Sequence, residues 1–123
     1  MDSFAWIEYF SGSRAGERVR EHIESSHGAT PTIVVAELSE KYRRTGGELG
    51  ARFDFIRSRT RLVPLDEELA RTAGELNFQR KKKVHGWGMA DSIVLASGRQ
   101  RQAKILTGDP HFKDLPETIS LRI

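Results

Sequence analysis

The chain has 123 residues, of which 20 are Lys or Arg and 17 are Asp or Glu, giving a net charge of +3, and 37% are hydrophobic. That length sets one compact domain over residues 1–123, long enough to bury a core without staples. The absence of cysteine excludes a disulfide scaffold, a thiolate zinc site, a cysteine nucleophile and an iron–sulfur cluster.

Phe4, Ile7 and Phe10 recur at helical spacing, and Ser3 is placed to cap that helix. After the turn Ser11-Gly12-Ser13, the residues Ala15, Val19 and Ile23 predict a second helix running to about Ser25. Ala29 to Thr32 is short and extended, because the residue before a proline avoids helical geometry. Val34, Val35, Leu38 and Tyr42 then mark a helix face, and Leu49, Phe53 and Ile56 mark another. Arg61 to Leu65 reads as a short strand that Pro64 ends or confines to an edge. Asp66 caps the next helix, with Glu67 and Glu68 in the first turn, where the helix dipole favours acids. Its basic close, Arg80 to Lys83, reads first as a dipole partner on a solvated face, with contact to nucleic-acid phosphates as the sharper alternative. Met89 to Ala96 is a helix apolar around most of its circumference, hence buried. Ala103 to Thr107 reads as a buried strand, and Ile119 to Ile123 alternates like an edge strand. Trp6 and Trp87 read as core or dimer-interface residues rather than base-stacking platforms.

Helices alternating with short strands predict an α/β fold with a mainly parallel sheet, and ligands of such sheets bind beyond the carboxyl ends of the strands. Acids occupy those positions. Asp2 opens the first helix, Glu37 lies early in the third, Asp91 sits in the first turn of the buried helix, and Asp109 follows Thr107-Gly108. With parallel strands all four reach one edge of the sheet. Two unit charges 4 Å apart repel by ~4 kcal/mol at an effective dielectric near 20, so such a cluster needs raised pKa values or a bound cation. Oxygen ligands without His or Cys suit Mg²⁺ or Mn²⁺. Such an ion acidifies water and neutralises phosphate charge, as phosphodiester hydrolysis requires. No two of the four histidines have a metal-ligand spacing. His111, two residues after Asp109, reads as a loop residue, with a proton carrier as the sharper alternative.

Four segments carry a resemblance. They are Asp2 to Phe10, Thr32 to Leu38, Met89 to Ala96, and Leu106-Thr107-Gly108-Asp109-Pro110-His111-Phe112. In order and spacing they resemble the PIN-domain ribonucleases, and among these the VapC toxins of VapBC toxin–antitoxin systems, over essentially the whole chain. The resemblance implies a three-layer α/β/α fold with a central, mainly parallel sheet of four to five short strands. It implies an endoribonuclease that requires Mg²⁺ or Mn²⁺. Asp2, Glu37, Asp91 and Asp109 would hold the metal, Thr107 would orient a carboxylate or a water, and Asp114 would serve as an outer acid. It also implies an RNA substrate, a cognate VapB-like antitoxin and a homodimer. One departure stands out. The family's first strand precedes the first acid, whereas here only Met1 does. Either the true start lies upstream and the chain given is truncated, or the remaining residues make a minimal strand.

No apolar run approaches the ~20 residues that cross a bilayer, and an acid at position 2 does not suit a secretory leader. The expectation is a cytoplasmic protein without a membrane partner. Two other readings compete. One is a catalytically impaired PIN-like module that binds RNA or protein. The other is a phosphoryl-accepting receiver domain, which needs a lysine across the pocket from its aspartate that this sequence does not supply after any strand.

Overall fold

The computed structural model describes residues 1–25 and 27–121. Its first helix, α1, spans Ser3–Ser11. Asp2, not Ser3, is its cap: the Asp2 Oδ1 accepts the Ala5 N–H at 3.0 Å. A carboxylate reaches across the first turn without strain, so it satisfies a backbone donor that would otherwise be orphaned. α2 covers Arg14–Ser25 and packs against α1. β1 (Ala29–Pro31) leads directly into α3 (Thr32–Arg44), and α4 (Ala51–Arg59) leads into β2 (Arg61–Val63). Leu49, expected on the α4 face, lies just before that helix, where it still packs on the core. Pro64 ends β2, as its missing N–H requires.

α5 (Glu67–Arg80) begins at Asp66, whose carboxylate accepts the Leu69 N–H at 2.8 Å. α6 (Met89–Gln100) is buried continuously from Ser92 to Ser97 and packs along α5 and against α3. Trp87 Nε1 donates to Ser92 Oγ at 2.7 Å, and Ser92 Oγ donates to Asn77 Oδ1 at 3.1 Å. This chain joins the loop before α6 to α5. β3 (Ile105–Thr107) is followed by a 3₁₀ turn, Pro110–Phe112, and by β4 (Thr118–Ser120). The last two residues of the expected Ile119 to Ile123 strand lie outside the described residues.

The strands pair in parallel, β1 with β2 and β3 with β4, with Thr30 opposite Leu62 and Leu106 opposite Ile119. Among the described residues they form two separate two-stranded sheets rather than one continuous sheet, and no strand precedes Asp2. Met1 stands where the two pairs face each other. Its ammonium donates to the Ala29 carbonyl at 2.7 Å, as a strand N–H would. A cavity of about 240 Å³ borders it, lined by Ala29, Val63, Ile105, Leu106 and Ile119 among others. The two pairs are held in one body by the core around Trp6, Leu38, Ile56, Leu95 and Phe112. Trp6 is fully buried, and its indole N–H reaches Thr30 Oγ1 at 3.1 Å, fixing α1 to β1.

Candidate metal centre

Each of the four acids is placed by the start of a helical segment or by its early turns. Asp2 caps α1, and Asp109 caps the 3₁₀ turn, its Oδ1 accepting the His111 N–H at 2.9 Å. Asp91 sits in the first turn of α6, its Oδ2 accepting the Gly88 N–H at 3.1 Å. Glu37 lies one and a half turns into α3. The backbone donors at Asp2, Asp91 and Asp109 do more than finish helix ends. They fix one oxygen of each carboxylate, with further lone pairs free to accept.

Charge connects all four. Burial is the chief reason that the Asp2 carboxyl is pushed up to about 6; hydrogen bonds from Thr107 and Ala5 and the Met1 ammonium oppose the shift, and Asp109 adds to it. Glu37 is solvent-exposed as a residue, yet desolvation of its carboxyl raises its pKa, a Ser3 hydrogen bond lowers it, and Asp91, Asp2 and Asp109 raise it further. Asp91 is raised first by desolvation and then by Asp109, while the Gly88 N–H and His111 pull it down. The shifts run in one direction because each carboxyl is partly desolvated and stands near other carboxylates.

Thr107 links two of the acids. It is buried, its Oγ1 accepts the Asp109 N–H at 3.0 Å, and its hydroxyl hydrogen bonds to Asp2. Gly108 lets this strand end approach α1, since a Cβ there would fall 2.1 Å from Phe4 Cε1. Among the described residues, Asp91, Asp109 and His111 each offer a ligand atom with all three within 4.8 Å of one another. Asp2 and Glu37 stand outside that group of three and join it through Thr107 and through charge.

His111 is a correction to the sequence reading, which favoured a plain loop residue. Its ring lies among the acids, with Nδ1 3.7 Å from Asp91 Oδ2 and 3.5 Å from Asp109 Oδ1. Both separations exceed hydrogen-bond range, and Nδ1 is a buried atom without a hydrogen-bond partner. The four-residue run at the end of α5 divides in a way that composition hides. Arg80 is buried. It grips Asp114 through two bonds of 2.7 and 2.9 Å, donates to the His111 carbonyl at 3.0 Å and stacks over Trp87 at 4.4 Å. It is therefore not available to RNA phosphate, and Asp114 is its counter-charge; that grip draws the Asp114 carboxyl below the usual carboxylate range. Lys81, Lys82 and Lys83 remain exposed. Trp87 and Trp6 are both core residues, as their sequence context suggested.

A cluster of carboxylates, with Asp2, Glu37 and Asp91 shifted upward in pKa, together with an orphaned buried nitrogen, has the donor set that a divalent cation fits. The family model described as PIN domain matches residues 1–118. No curated protein matches the chain in sequence. Among solved structures the chain is similar to one in a toxin–antitoxin complex from Klebsiella pneumoniae, with a TM-score of 0.76 at 18% identity over 98% of this chain and 95% of that one. It is also similar to a chain in VapBC2 from Rickettsia felis bound to a DNA fragment from their promoter, with a TM-score of 0.73 at 17% identity over 96% and 92%. At such identities the likeness is one of fold.

Proposed function

Since the chain belongs to the PIN-domain family and has its α/β fold, we propose that it is a VapC-like endoribonuclease, dependent on Mg²⁺ or Mn²⁺, and the toxin of a toxin–antitoxin pair. The observation that carries this reading is the gathering of acids from distant segments: Asp91 and Asp109 offer ligand atoms within 4.8 Å of one another and of His111, and desolvation together with neighbouring carboxylates raises the pKa values of Asp2, Glu37 and Asp91. Asp2, Glu37, Asp91 and Asp109 would hold one or two ions, which when bound neutralise phosphate charge and make water a better nucleophile.

The chain's own groups do the positioning. The Gly88 and His111 N–H groups hold Asp91 and Asp109 in fixed orientation. Thr107 keeps Asp2 and Asp109 in register by giving a hydrogen bond to one and taking one from the other's backbone. Glu37 lies on the exposed side of the group, where its carboxylate would complete the oxygen set from α3. Exposed Lys81 to Lys83 offer phosphate contacts beside the loop that leads to α6.

The toxin–antitoxin neighbours support a VapB-like antitoxin as partner, and the homodimer and the cytoplasmic setting belong to the same reading. No helix among the described residues is long and apolar enough to cross a membrane. The test is cleavage of a panel of structured RNAs with Mn²⁺ or Mg²⁺ and with chelator. Cleavage should require the ion, and Asp91→Asn should reduce it at least a hundredfold while leaving the circular dichroism spectrum unchanged. Full activity in that variant would sink the assignment. Saturable ion binding without any cleavage would favour an impaired binding module instead.

A further inference from the structure

We propose that His111 is a nitrogen ligand of the metal held by Asp91 and Asp109, so that the site selects Mn²⁺ over Mg²⁺. The inference rests on the metal-dependent reading above and goes beyond its all-carboxylate ligand set.

Three observations lead to it. First, the imidazole is aimed but unsatisfied. Nδ1 is buried and lacks a hydrogen-bond partner, and it faces Asp109 Oδ1 at 3.5 Å and Asp91 Oδ2 at 3.7 Å. A hydrogen-bonded pair would have closed to about 3 Å. Two ligands of one octahedral ion with bonds of roughly 2.1 Å stand roughly 3.0 Å apart when adjacent and 4.2 Å when opposite. The observed spacings of 3.5 and 3.7 Å lie within that limit of roughly 4.2 Å, so the three donors reach a common ion with an adjustment of a few tenths of an ångström.

Second, the residue is placed by its backbone, and its ring by Gly86, without using Nδ1. Its backbone N–H is taken by Asp109 Oδ1 and its carbonyl by Arg80, which Asp114 and Trp87 fix in turn. Gly86, with a φ of +85°, lies under the ring, where a Cβ would come within 3.1 Å of Nε2. Only a residue without a side chain allows both that left-handed turn and that approach. Placing the ring in this way spends a buried arginine, a carboxylate and a glycine, which a casual loop histidine does not need.

Third, the two oxygens that face Nδ1 are themselves fixed, each by a backbone N–H. Rigid ligands with supporting hydrogen bonds discriminate between ions. Imidazole adds affinity for Mn²⁺, whereas Mg²⁺ prefers oxygen ligands and retains its waters.

The test uses the full chain, Mn²⁺ or Mg²⁺ alone, and pH 8, above the usual range of imidazoles. Pulsed electron paramagnetic resonance of the Mn²⁺-loaded wild-type protein should show a directly bound ¹⁴N coupling, and His111→Gln should abolish it. Titration should show about tenfold weaker Mn²⁺ binding in that variant, with Mg²⁺ binding changed less than twofold. Bound Mn²⁺ without a nitrogen coupling in the wild type, or a coupling that persists in His111→Gln, overturns the inference and leaves the carboxylate site standing. The wild-type spectrum alone decides this even if the variant misfolds. Absence of saturable Mn²⁺ binding in the wild type overturns both this inference and the functional reading beneath it.

Discussion

Asp2 holds a cap and a charge at once, and the two demands pull against each other at neutral pH. The cap needs only an oxygen acceptor for the Ala5 N–H, whereas burial penalises the carboxylate. Its carboxyl ionises near 3.8 in an unfolded chain and at about 6 in the fold. The stability this protonated group contributes is complete below the lower value and is lost as the pH rises through the upper one. Without metal, folding free energy should therefore fall between roughly pH 4 and pH 6 by about 3 kcal/mol on account of Asp2. Asp91 and Glu37 shift in the same direction and add to the slope. Asp2→Asn keeps the cap and removes the charge. Urea denaturation in chelator should show the variant more stable than wild type at pH 7 by about 1–3 kcal/mol and nearly equal to it at pH 4. A variant less stable at pH 7 would mean that the carboxylate is not strained. Asp2, Glu37, Asp91 and Asp109 were legible as acids near the starts of helical segments, with Asp109 just past a strand end. The position of His111 among them was not, because it depends on Arg80 and Gly86, which lie apart from it in sequence and meet it only in space.

α6 bears Asp91, so the element must sit rigidly. Its apolar run was readable from composition, and burial from Ser92 to Ser97 follows it. Less readable was the polar chain Trp87–Ser92–Asn77, which crosses from the loop through α6 to α5. Ser92 is fully buried and serves both as acceptor and as donor. Ser92→Ala leaves the Trp87 N–H and the Asn77 carbonyl without partners in the core, at a cost of about 1–3 kcal/mol. Thermal or urea denaturation should register that loss, and an unchanged stability would show that the chain does not brace the helix. The strands illustrate the opposite case. All four were foreseen as short and extended, yet their division into two pairs was hidden, because pairing depends on what lies between β1 and β3 rather than on either strand's residues. Met1 stands there, with its ammonium on Ala29 where a strand's N–H would bond. The basic run at the end of α5 was legible as charge, but burial alone separates Arg80, which is structural, from the three exposed lysines that follow it.

Over the whole molecule, a chain of net charge +3 gathers four acids at one face. On the proposed function, the exposed lysines would attract a polyanion, while the clustered acids would repel it until a cation binds among them. Binding an ion must therefore displace the protons that the raised pKa values retain. The most direct measurement is calorimetric titration of Mn²⁺ into the chelator-stripped protein at pH 6 in two buffers of different ionisation enthalpy. One saturable event is expected, with proton release seen as a buffer-dependent heat and with at least tenfold weaker binding in Asp91→Asn. Saturable binding that Asp91→Asn leaves unchanged, or no binding at millimolar ion, would show that these carboxylates do not form one cation site.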